Sequence, residues 1–119
     1  MSRWPTTIVQ EDINAYAEVS GDFNRIHVDP EFSRTTPFGG TIAHGCIAGA
    51  IVTRHVVQDM GMGGRLRRLS LKFTNPVRSG DSLRCEAKLA EGSDTTIEVV
   101  CRNQKDEAVA IGTATVTAA

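Results

Sequence analysis

Ile42-Ala43-His44-Gly45-Cys46-Ile47-Ala48-Gly49-Ala50-Ile51-Val52 is the longest apolar stretch of the chain, and its reading decides the fold. Ile42, Ala43, Cys46, Ile47, Ala48, Ala50, Ile51 and Val52 fall on nearly every side of a helix, and a helix apolar all round is buried all round. The spacing predicts the longest helix over Thr41 to Met60, on the order of 25 Å long, running through the middle of a small domain. His44 and two glycines interrupt the stretch, which is also far short of the roughly 20 residues a membrane span needs.

Downstream of Gly61 to Gly64 the period changes to two. Leu69, Leu71 and Phe73 alternate with polar neighbours, as do Leu83, Cys85, Ala87 and Leu89, and then Ile97, Val99 and Cys101. A last run, Ala108 to Thr117, is rich in Val, Ile and Thr. Turn residues separate the runs at Ser79 to Asp81, Gly92 to Asp94 and Asn103 to Glu107. These are four antiparallel strands with one wet face, and the apolar helix covers the other. Met60 and Met62 are expected to pack at the helix end.

Upstream, Ile13, Tyr16, Ala17 and Val19 give a helical stripe. Glu11 and Asp12 stand in its first turn, where the macrodipole favours carboxylates, and Gly21 ends it. Asp22 to Pro37 reads as a loop, with a helical turn from Pro30. The whole, residues 1–119, is expected to be a single α+β domain: an antiparallel sheet wrapped around a long central helix.

The 119 residues are 40% hydrophobic and 23% charged, ordinary for a globular protein. A net charge of −1 leaves no basic field for nucleic acid. Met1-Ser2-Arg3-Trp4-Pro5 carries no apolar signal segment, so the expectation is a cytoplasmic protein that does not enter a membrane. The three cysteines, Cys46, Cys85 and Cys101, form no CxxC pair and read as free thiols, with Cys85 and Cys101 neighbours if their strands form one hairpin.

Two segments carry candidate chemistry. Ser20-Gly21-Asp22-Phe23-Asn24-Arg25-Ile26-His27 places a carboxylate and an imidazole five residues apart. His27 can exchange a proton near neutral pH, and Asp22 can orient its ring or share a water with it. The same spacing also suits Asx turns at Asp22 and Asn24, with His27 as a satisfied polar residue. Phe38-Gly39-Gly40-Thr41-Ile42-Ala43-His44-Gly45 leads into the central helix, whose first N–H groups lack intrahelical partners and can hold an oxyanion. There the glycine pair also suits a plain turn, and His44 suits capping or packing as well as a catalytic role.

Together the two segments resemble the MaoC-like (R)-specific enoyl-CoA hydratase family. Its signature reads Ser-Gly-Asp-x-Asn-Pro-Ile/Leu-His, followed by Phe-Gly-Gly-Pro-Ile-Ala-His-Gly. Ser20, Gly21, Asp22, Asn24, Ile26 and His27 match the first, and Phe38, Gly39, Gly40, Ile42, Ala43, His44 and Gly45 the second. The element order agrees along essentially the whole chain. The resemblance implies a hot-dog fold, a homodimer with its sites at the subunit interface, and water addition to, or elimination from, an enoyl thioester. It implies that Asp22 and His27 hold the water, one taking its proton and the other delivering a proton to the α-carbon. The Gly45 N–H would hold the thioester oxygen, with Asn24, His44 and Thr53 in support.

Arg25 and Thr41 stand where the family has prolines, which loosens the loop and sets a cation beside the acid–base pair. Arg65, Arg67, Arg68, Lys72 and Arg78 are the local basic excess. They suit either the phosphates of coenzyme A or a solvated strand edge. No His/Cys/carboxylate cluster has metal-site spacing and no nucleotide-binding glycine loop is present, so neither metal nor resident cofactor is expected, coenzyme A being part of the substrate. Thioester hydrolysis and a place in a hetero-oligomeric hot-dog assembly are the alternative functions, since a fold does not fix its chemistry.

Overall fold

The computed structural model of the chain describes residues 5–59 and 65–117. The period-two runs form β2 (Arg65–Phe73), β3 (Ser82–Leu89), β4 (Thr96–Arg102) and β5 (Ala108–Thr117). An unforeseen two-residue strand, β1 (Thr6–Thr7), pairs with the start of β3, giving an antiparallel sheet in the order β1-β3-β4-β5-β2. Two residues are too short to show a period, which is why the sequence concealed this strand.

The inward set is the one the alternation picks out, except that Phe73 and Leu89 at strand ends are exposed and Leu69 and Leu71 are half-buried. Leu83, Cys85, Ile97, Val99, Cys101, Val109, Ala114 and Val116 are buried. Cys85 and Cys101 stand directly opposite each other, and none of the three cysteines is in a disulfide. A hydrogen bond from the neighbouring Cys85 holds the Cys101 thiol below its ordinary pKa.

The central helix is shorter than its apolar run. It occupies α4, Gly45–Arg54, ten residues or about 15 Å. Thr41 to Ala43 instead run extended: Ile42 bridges Arg78, and the Ala43 N–H donates to the Val77 carbonyl. These residues are buried, but in extended backbone, a state the composition of a short apolar run does not distinguish from helix. After Arg54 the chain widens into a π-helical segment, His55–Asp59. The positions of Met60 and Met62 lie outside the described residues.

Nor is α4 buried all round. Ala48, Ile51 and Val52 face the sheet, but Cys46 and Ala50 are exposed. One curled sheet covers one side of a helix, and on another side Ile47, Ala50 and Ile51 line an open groove with Ala15, Tyr16 and Val19 of a preceding helix.

Before α4 come three helices: α1 (Gln10–Ser20), α2 (Arg25–Val28) and α3 (Pro30–Arg34). The Asp12 carboxylate accepts the Val9 N–H at the start of α1. Gly21, at φ 79°, ends it in the left-handed conformation with its N–H on the Ala17 carbonyl. The predicted turn at Pro30 is α3. The helical turn α2 falls where a loop was expected, and it carries His27. No helix among the described residues is long and apolar enough to cross a membrane.

Candidate active site

Side chains of the 22–29 segment build α2 and α3 one after the other. Asp22 Oδ1 accepts the Asn24 N–H at 3.1 Å, and Asn24 Oδ1 accepts the Ile26 N–H at 3.1 Å, capping α2. Asp29 caps α3 through the Phe32 N–H. That bond, and then the guanidinium of Arg25, hold the Asp29 carboxyl below its ordinary pKa. The Asx-turn reading of this segment is therefore correct, and it does not compete with the chemical one. The turns present the pair.

His27 is buried on α2, and its Nδ1 lies 2.7 Å from the Ile42 carbonyl oxygen. A carbonyl only accepts, so Nδ1 carries the proton and Nε2 carries the lone pair of the neutral ring. Nε2 lies 3.8 Å from Asp22 Oδ2. That is too long for a direct hydrogen bond but short enough for one oxygen to touch both. Gln10 steadies the far side: its Nε2 donates to the His27 carbonyl, and its Oε1 accepts Thr41 Oγ1 at 2.6 Å. Thr41, in the place of a proline, thus ties the loop by its hydroxyl.

The cation in the place of the other proline is drawn away from the pair. The Arg25 guanidinium bonds Asp29 and lies over the Phe32 ring, 4.1 Å from its centroid.

His44 sits at the N-cap position of α4 but does not cap it. Its Nε2 donates to the Asp22 backbone carbonyl at 2.9 Å, and its ring stacks on His27 at 3.9 Å between centroids, with Tyr16 at 4.7 Å from it. A hydrogen bond with Cys46 raises the Tyr16 pKa above its ordinary value. No sequence pattern singles out Tyr16, which reads as part of the apolar stripe of α1.

Asp22, His27 and His44 together offer three ligand atoms within 4.8 Å of one another, a grouping that spacing had not suggested. The two rings are only 27° from parallel. One nitrogen of each ring is already held by a carbonyl, Nδ1 of His27 by Ile42 and Nε2 of His44 by Asp22. The cluster suits proton transfer.

His27 opens into a cavity of 360 Å³ whose other walls include Phe38, Gly45, Ala48, Phe73 and Val109. Gly45 is the first residue of α4, so its N–H has no intrahelical acceptor. The cavity thus offers the imidazole of the pair, a backbone donor and apolar walls, the parts that charge build-up on a carbonyl oxygen requires. Phe73 was read only as a strand residue, and its half-exposed ring roofs this cavity.

Two expected groups lie elsewhere. Thr53 is two turns along α4 from Gly45, and its hydroxyl donates to the Gly49 carbonyl. Arg65, Arg67 and Arg68 occupy the opposite end of β2 from Phe73, about 16–26 Å along the strand. A single chain does not bring them to the cavity.

A model of the MaoC like domain family matches residues 2–110. The 3-hydroxyacyl-thioester dehydratase Z of Mycobacterium tuberculosis is 35% identical over 98 residues, 78% of this chain and 64% of that protein. The chain therefore spans a little under two thirds of that relative's length. Among solved structures, R-hydratase PhaJ1 from Pseudomonas aeruginosa in the unliganded form superposes with a TM-score of 0.88 at 31% identity, covering 97% of this chain and 77% of that one. The (R)-hydratase from A. caviae involved in PHA biosynthesis gives 0.84 at 29% identity, covering 96% and 90%.

Proposed function

The chain belongs to the MaoC like domain family, and on that premise we propose that it adds water to, or removes it from, a 2-enoyl thioester. The observation that carries this reading is the His27–Ile42 hydrogen bond, which leaves the His27 Nε2 lone pair 3.8 Å from Asp22 Oδ2, close enough for one water oxygen to bridge both.

In the hydration direction the water oxygen bonds to C3 as His27 Nε2 takes its proton, and Asp22 orients that water. Electron density moves from the double bond onto the thioester oxygen, where the Gly45 N–H meets it. The Asp22/His27 pair then returns a proton to C2, so that one proton is taken and one given back for each water added. Elimination runs the same path in reverse. No resident metal or cofactor takes part in this scheme; coenzyme A enters with the substrate. The (R)-3-hydroxyacyl product is the configuration that the names of the two structural relatives favour.

We propose a homodimer in the cytoplasm as the working form. β2 is a nine-residue strand at the sheet margin, and no strand among the described residues pairs with its outer side. Such an edge invites a second copy. The uncovered side of α4 is a further apolar surface for the same contact. The test is crotonyl-CoA with the purified chain, reading enone absorbance, free thiol and product chirality together. Loss of the enone without thiol, giving the (R)-3-hydroxy thioester, is expected. Thiol release with the enone retained would make it a thioesterase.

A further inference from the structure

Several cations of the described residues have a carboxylate partner: Arg25 has Asp29, Arg84 has Asp106, Lys88 has Glu98 and Arg102 has Glu86. Arg34 and Arg78 differ. Arg34 Nε donates to the Pro30 carbonyl of its own helix and the Arg78 guanidinium to the Phe38 carbonyl, and neither forms an ion pair with a described residue. Both side chains line one groove of 390 Å³, and no carboxylate lines it with them. Its floor includes Gly39 and Gly40, where a Cβ would meet nothing within 4 Å, so bare backbone is open to a ligand.

This groove adjoins the His27 cavity along two stretches of chain. Phe38 and Ile42 line the cavity while Gly39 to Thr41 between them line the groove. Asn75 to Val77 line the cavity and Arg78 and Ser79 the groove. From Asn75 to Ser79 is about 13 Å of extended chain. Arg78 stands at the junction, bonded to the carbonyl of Phe38 and paired across from Ile42, whose own carbonyl orients His27.

We propose that Arg34 and Arg78 bind the phosphate at the end of the pantetheine arm of the substrate. Coenzyme A and a carrier protein's phosphopantetheine share that phosphate. The proposal rests on the thioester reading of the site and deepens it. With the thioester at Gly45 and His27, the arm leaves past Phe38 and its phosphate arrives between two guanidiniums that have no other anion. Guanidinium forks bind phosphate through paired charge-assisted hydrogen bonds. Within one chain this keeps Arg78 of the expected basic group as the phosphate contact, adds Arg34, and leaves Arg65, Arg67 and Arg68 away from it.

The test is calorimetric binding of 4′-phosphopantetheine, coenzyme A and pantetheine to the whole chain, with Arg34→Ala and Arg78→Lys as variants. Arg34 bonds only its own helix, and Arg78→Lys keeps a donor near Phe38, so both are expected to fold. Each is expected to weaken the two phosphorylated ligands about tenfold or more and to leave pantetheine within about twofold. In turnover, KM for crotonyl-CoA rises while kcat and the kinetics of crotonyl-pantetheine hold. An unchanged affinity for coenzyme A, an equal loss on pantetheine, or a loss on coenzyme A alone would overturn the assignment. Arginine-dependent binding by a protein that hydrates no enoyl thioester would keep this site and remove the hydratase reading.

Discussion

Phe73 lies over Gly45 so closely that a Cβ on Gly45 would stand 3.1 Å from the edge of its ring. The glycine lets a strand side chain close over the first N–H of α4, bringing the donor and the roof of the cavity together. Phe73 is 51% exposed, so its ring can yield to a methyl group. Gly45→Ala is therefore expected to change stability by no more than about 1 kcal/mol. The displaced roof lowers kcat/KM for crotonyl-CoA by about tenfold or more, since small misplacements at a reacting centre are costly. Thermal unfolding and hydration kinetics on one preparation check this; unchanged kinetics would contradict it.

Asn24 caps the four-residue helix that carries His27. Asn24→Ala is expected to cost about 1 kcal/mol and to lower kcat through a less fixed imidazole. Asn24→Asp keeps the acceptor and restores most of both. Equal losses in the two variants would mean that the cap does not position His27.

Asp29 has its pKa lowered by the Phe32 N–H and by Arg25. A carboxyl depressed in the folded state contributes stability that is present above its unfolded pKa and lost as pH falls through the folded one. Asp29→Ala is thus expected to melt below wild type at pH 7, with the gap narrowing as pH falls below about 3.9. Melting curves across pH 2.5–7 are the check, and a gap independent of pH would contradict the ionic contribution.

Gly112 lies opposite Leu71, where a Cβ would fall 1.9 Å from the Ser70 carbonyl oxygen. Backbone cannot yield as Phe73 can. Gly112→Ala is expected to destabilise by about 1–3 kcal/mol in urea unfolding, and a neutral result would show that β2 and β5 separate there readily.

The strands were legible because period two is a strong local signal, and the inward set from Leu83 to Val116 follows it. The N-terminal end of α4 was not. Thr41 to Ala43 are compatible with a helix start, and it is their bonds to Gln10, Ile26, Val77 and Ser79, far away in sequence, that hold them extended. The acid–base pair was legible as a motif, yet its tautomer depends on the carbonyl of Ile42, which side-chain identity does not reveal. Tyr16, Phe73 and Arg34 were missed for the same reason: their place near the site is set by tertiary contact.

The central claim is that Asp22 and His27 act on one water. Its most direct test is crotonyl-CoA hydration by Asp22→Asn and His27→Ala, each checked for wild-type folding. A fall in kcat of about 10²–10⁴-fold in both is expected, the range that positioned acid–base groups supply. Wild-type turnover in both folded variants would contradict it.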